Sequence, residues 1–89
     1  MERREVIFRG MVQGVGFRYT ARAIARNHPV TGYVKNLPDG GVELVVEGRR
    51  EDIEEYLAQL KERMAHYIRR TEKRAAPATG EFSTFEVRF

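Results

Sequence analysis

Two glycines and an arginine at alternate positions, Gly14, Gly16 and Arg18, stand where the pattern of the chain changes. Before them, in Val6, Phe8 and Val12, apolar residues alternate; after them, from Phe17, they recur at helical spacing. The stretch reads as a strand, a tight glycine turn and a helix start with an arginine in its first turn. Such a turn aims several backbone N–H groups at one point, where the helix dipole also favours negative charge. A guanidinium beside it adds a charge-assisted fork suited to phosphate oxygens. Gly14 and Gly16 suit the turn because a β-carbon would resist positive φ or block close approach of the backbone to a phosphate. The chemistry implied is the holding of a phosphoryl group by the loop Gln13, Gly14, Val15, Gly16, Phe17 and Arg18.

Other chemistries find little footing. The chain has no cysteine, which excludes a disulfide scaffold, a zinc-thiolate site and a thiol phosphatase, whose phosphate loop must begin with a cysteine. His28 and His66 lack metal-ligand spacing, so no metal site is expected. Ser83 is the only serine and lies in a terminal strand pattern, which leaves a Ser-His-Asp arrangement without support. No Walker A or GxGxxG pattern occurs.

The elements that must position the loop follow from periodicity and breakers. Glu5 to Val12 reads as a strand. Phe17, Ala21, Ile24, Ala25 and His28 form the inward stripe of a helix that should stop before Pro29, with Arg22 and Arg26 on a solvated face. Gly32 to Leu37 and Val42 to Glu47 read as strands joined by the turn Pro38-Asp39-Gly40-Gly41, a hairpin with Val42, Leu44 and Val46 inward and Glu43 and Glu47 toward solvent. Acids at Glu51 and Asp52 open a second helix whose stripe is Ile53, Leu57, Leu60 and Met64, flanked by Tyr56. Tyr67 to Arg74 reads as a charged edge strand, Ala75 to Gly80 as a loop, and Phe82 to Phe89 as a final strand with Phe85, Val87 and Phe89 apolar. Strand, helix, strand, strand, helix, strand and a terminal strand make a ferredoxin-like α+β two-layer sandwich. Right-handed crossovers put both helices on one face of a mainly antiparallel sheet.

With 89 residues the chain is expected to form one domain, residues 1–89, around one small core. No apolar run is long enough to span a bilayer, and the N-terminus leads into a strand pattern rather than a secretory segment, so a soluble cytoplasmic protein without membrane contact is expected. The net charge of +3, from 16 basic and 13 acidic residues, mildly favours anionic ligands. A nucleic-acid-binding domain of this fold is the alternative that the basic run Arg69, Arg70, Lys73 and Arg74 suggests. Base-stacking domains of that kind carry aromatics in their central strands, and Val42 to Glu47 has none, so no nucleic acid is expected.

Val12-Gln13-Gly14-Val15-Gly16-Phe17-Arg18 resembles the phosphate-loop signature of the acylphosphatase family. Gly32-Tyr33-Val34-Lys35-Asn36-Leu37-Pro38-Asp39-Gly40-Gly41-Val42 resembles its second signature, glycine–aromatic–Val–X–Asn followed by glycine and valine. The likeness runs through Glu47-Gly48 into the second helix and thins in Tyr67 to Gly80, where apolar alternation is sparse. What it implies is hydrolysis of the carboxyl-phosphate bond of a small acyl phosphate, without metal or cofactor; for a domain of this size a monomer is expected. The roles it implies are phosphoryl binding by Arg18 and positioning of the attacking water by Asn36. A catalytically silent or accessory acylphosphatase-like module is the other reading that such motifs allow.

Overall fold

The computed structural model describes residues 1–89. Its elements are β1 (Glu2–Gly10), α1 (Phe17–Ala25), β2 (Thr31–Asn36), β3 (Val42–Gly48), α2 (Arg50–Arg63), β4 (Ile68–Pro77) and β5 (Phe85–Arg88). The strands form one sheet in the order β4-β1-β3-β2-β5. Every pair is antiparallel except β2 with β5. The ferredoxin-like order of elements, with both helices over one face, is thus observed.

Alternation and helical spacing explain the core. Val6 and Phe8 of β1, Val34 of β2, and Val42, Leu44 and Val46 of β3 all point to one face and are buried. Phe17, Ala21, Ile24 and Ala25 of α1 and Ile53, Tyr56, Leu57 and Leu60 of α2 close over them in one cluster. The Tyr56 hydroxyl donates to the Ala21 carbonyl at 2.9 Å, which ties the two helices together inside the core. Burial pushes the ionisation of this phenol far up, so it remains a donor at any physiological pH. No helix is long and apolar enough to cross a membrane.

Several boundaries differ from the sequence expectation, each for a local reason. α1 ends at Ala25, because the N–H groups of Asn27 and His28 bond three residues back, to Ile24 and Ala25, and tighten the last turn. His28 therefore leaves the apolar stripe; its Nε2 lies 2.8 Å from Gln59 Oε1 and its ring meets Tyr56 edge-on. β4 runs through Ala75 and Ala76 to Pro77, which pair with Arg4, Arg3 and Glu2, where a loop was expected. The proline closes an edge strand, a position where its missing N–H costs little. β5 is confined to Phe85–Arg88, and Phe82 turns away to the opposite sheet face, where its ring lies 5.8 Å from that of Tyr33. Glu47 is the largest departure. It is 4% exposed rather than solvent-facing, because the segment Ala78 to Glu81 lies over it. Its carboxylate accepts from Arg3, from the Thr79 N–H and hydroxyl, and from the Gly80 N–H. Burial alone would raise that carboxyl, but these donors prevail and hold it below the ordinary carboxylate value.

Candidate active site

Register places the two sequence motifs at one end of the sheet. Val42, the first residue of β3, pairs with Phe8 of β1 on one side and Asn36 of β2 on the other. Asn36 thus stands two strand spacings, roughly 10 Å, from the end of β1. The loop from Met11 to Gly16 begins there and crosses toward α1.

Both ends of that loop are anchored in the body of the domain. The Met11 N–H donates to the Tyr67 carbonyl at 3.0 Å. Val12 is fully buried, and Phe17, 2% exposed, packs its ring at a tilt 5.0 Å from that of Phe8. Between these plugs Gly14 and Gly16 adopt φ of 78° and 75°. A β-carbon at either would meet nothing within 4 Å, so the conformation, not crowding, calls for glycine. Gly16 is the N-cap of α1, and its carbonyl accepts the first helical bond, from the Thr20 N–H at 3.0 Å.

The consequence is a run of free donors. No backbone N–H from Gly14 to Tyr19 donates to an acceptor of the chain. No side chain caps the helix and its first turn carries no acid, whereas the first turn of α2 carries Glu51 and Asp52. Arg18 adds a positive charge at the end where the dipole is already positive, which is unfavourable unless an anion joins it.

Arg18 is held from the far end of the chain. Its Nη1 donates to the Arg88 carbonyl at 3.2 Å, and its guanidinium lies 4.6 Å over the ring of Phe89. No carboxylate approaches it within ion-pairing distance, while eight other arginines are so paired. With one N–H of the fork engaged, four donors and the full charge are uncommitted. The Asn36 side chain makes no hydrogen bond within the chain and is half-buried. Arg18 and Asn36 line one depression of about 110 Å³ together with Val12, Gly14, Gly16, Phe17 and Tyr19.

The remaining loop residues are placed differently. The side chain of Phe17 lies in the core and that of Val15 packs against it. Gln13 Nε2 donates to the carbonyls of Leu37 at 2.7 Å and Gly41 at 2.9 Å. It staples the loop to the hairpin turn whose first flank is Asn36. A second tie runs parallel to it: Arg9 Nη1 donates to Asp39 Oδ2 at 2.7 Å, which, with the Gly41 N–H on Oδ1, holds the Asp39 carboxyl below its ordinary range. The sequence carried no signal for the Gln13 staple or for the hold of Arg88 and Phe89 on Arg18. The basic run on β4 is partly neutralised, with Arg70 on Glu72 and Arg74 on Glu5.

The acylphosphatase family profile matches residues 4–87. An acylphosphatase of Methylococcus capsulatus is 43% identical over 89 residues, which cover 98% of this chain and 96% of the relative. The crystal structure of acylphosphatase from Bacillus subtilis superposes with a TM-score of 0.89 at 26% identity, each chain covered in full. The crystal structure of T. kodakarensis HypF superposes with a TM-score of 0.84 at 41% identity, over all of this chain and 12% of that larger one. Fold, paired motifs and these likenesses agree: the chain belongs to the acylphosphatase family.

Proposed function

We propose that the depression between the glycine loop and Asn36 is where an acyl phosphate is hydrolysed to carboxylate and inorganic phosphate. The reaction is the family's; the assignment of roles rests on one observation, the run of free N–H groups that shares a depression with an unpaired Arg18 and an uncommitted Asn36. The N–H groups of the Gln13–Arg18 loop and the Arg18 fork bind the phosphoryl oxygens and stabilise the charge that gathers on them. Asn36, with one acceptor and two donors on its amide, orients the water. The water oxygen bonds to phosphorus as the bond from phosphorus to the acyl oxygen breaks. The carboxylate departs as a weak base without a general acid, and a phosphoryl oxygen takes the water's proton. Every group so assigned comes from one chain, so a monomer suffices.

The test is phosphate release from acetyl phosphate. Arg18→Ala is expected to abolish it and to weaken inhibition by inorganic phosphate. Asn36→Ala is expected to lower kcat while phosphate inhibition stays close to native. EDTA is expected to leave the native rate unchanged. Native activity in Arg18→Ala would refute the assignment. A native chain that binds phosphate but releases none would instead fit an accessory module, the reading that the likeness to a segment of HypF favours.

A further inference from the structure

The depression is too small for an acyl phosphate with a bulky acyl body. Its volume of about 110 Å³ is below the ~150 Å³ of a cavity that takes one benzene ring, so a phosphoryl group and a large acyl body do not both fit. The acyl body must therefore leave over the rim, and what lines the rim selects it.

The rim carries one aromatic side chain whose purpose the fold does not supply. Tyr19 follows Arg18 on α1, lines the depression and is 52% exposed. Its hydroxyl makes no hydrogen bond within the chain, unlike those of Tyr33 and Tyr56, which donate to Glu43 and to the Ala21 carbonyl. The Arg22 guanidinium, free of any carboxylate, lies 5.5 Å over one face of the Tyr19 ring and steadies it by cation–π attraction. The other exposed ring at the site, Phe89, is already engaged over Arg18. The aromatic surface left for a substrate is that of Tyr19.

We propose that Tyr19 is the acyl-group subsite, and that this site favours acyl phosphates with an aromatic or extended apolar acyl body over those with a single methyl. The inference rests on the phosphoryl group lying against Arg18 and the loop. An acyl group leaving the depression would lie along the ring and cover apolar surface that is now in water.

The experiment is the ratio of kcat/KM for benzoyl phosphate to that for acetyl phosphate, in native protein, Tyr19→Ala and Tyr19→Phe. The ratio of inhibition by phenylphosphonate to that by methylphosphonate, measured in parallel, reads binding alone. Both ratios are expected to fall about fivefold in Tyr19→Ala, the size of one aromatic pair, and to be kept in Tyr19→Phe. Alanine at an exposed helical position keeps the fold. Ratios in Tyr19→Ala within twofold of native, in both measurements, would overturn the subsite. Undiminished acetyl phosphate hydrolysis in Arg18→Ala would instead overturn the placing of the phosphoryl group, and the subsite with it.

Discussion

Removing the Gln13 staple should slow the enzyme while leaving its grip on phosphate largely intact. The side chain touches neither half of the site chemically; it holds the loop against the turn that follows Asn36, through bonds of 2.7 and 2.9 Å. Each amide–carbonyl bond of this kind contributes about 0.5–1.5 kcal/mol net. Losing both frees the loop to shift against Asn36, at a cost of about 1–2 kcal/mol to the transition state, roughly 5- to 30-fold in kcat. Inhibition by inorganic phosphate should change by less, because the N–H run and Arg18 move together with the loop. Gln13→Glu sharpens the test. Its carboxylate offers only acceptors to two carbonyls and should be as slow as Gln13→Ala near neutral pH. As the pH falls, the introduced carboxyl gains a proton, regains one donor and recovers part of the lost rate relative to native protein at the same pH. The assay is phosphate release from acetyl phosphate across pH, with the urea midpoint of each variant as a control on folding. A Gln13→Ala rate within twofold of native, or a Gln13→Glu deficit that does not narrow in acid, would refute the reasoning.

Three further outcomes are expected. Phe89→Ala removes the ring under the Arg18 guanidinium, an exposed cation–π contact of about 0.5–1 kcal/mol, and should weaken phosphate inhibition roughly 2- to 5-fold with an unchanged unfolding midpoint. Gly16→Ala forces alanine to a φ of 75° in open space; urea unfolding should show a loss of about 1 kcal/mol, and phosphate binding should weaken as the donor run turns. Glu47→Gln should cost about 2 kcal/mol near neutral pH, roughly 10 °C in Tm for a domain of this size. Because the native Glu47 carboxyl titrates below its ordinary value of 4.5, its contribution is whole above that value and disappears as pH falls through the native pKa. The Tm difference between native protein and Glu47→Gln should therefore close in strong acid, and a constant difference would show that the carboxylate charge is not what holds the segment.

The residues that could be read from the sequence were those whose signal is local. Glycines at alternate positions, a change of period at Phe17 and an asparagine closing a strand before Pro38 needed no knowledge of distant partners. The inward stripes of both helices were equally plain, since 3.6-residue spacing decides which side chains meet the sheet. What escaped depended on residues brought from elsewhere. Alternation sends Glu47 away from the core, and only the covering segment from Ala78 to Glu81 buries it. The charged composition of β4 gave no reason to extend it past Arg74; its pairing with Glu2, Arg3 and Arg4 does. Gln13 lies in the proposed phosphate loop, and its position in the sequence does not show that its side-chain amide is spent on two carbonyls that the hairpin register delivers. Phe89 continues the apolar alternation of Phe85 and Val87, whereas it is 84% exposed and lies against the Arg18 guanidinium.

The hold of Arg88 and Phe89 on Arg18 spans 70 positions of sequence. During synthesis the loop, the hairpin and both helices are made before that carbonyl exists. A chain without β5 can thus have its glycine turn and its Asn36 strand while Arg18 lacks the carbonyl and the ring that hold it. In the proposed roles, the cation of the site is held only once β5 has docked beside β2. With Arg18 in its proposed role, phosphate release reports the docking of β5 as well as the state of the loop, and chains stalled short of Arg88 would lack the carbonyl that orients the guanidinium.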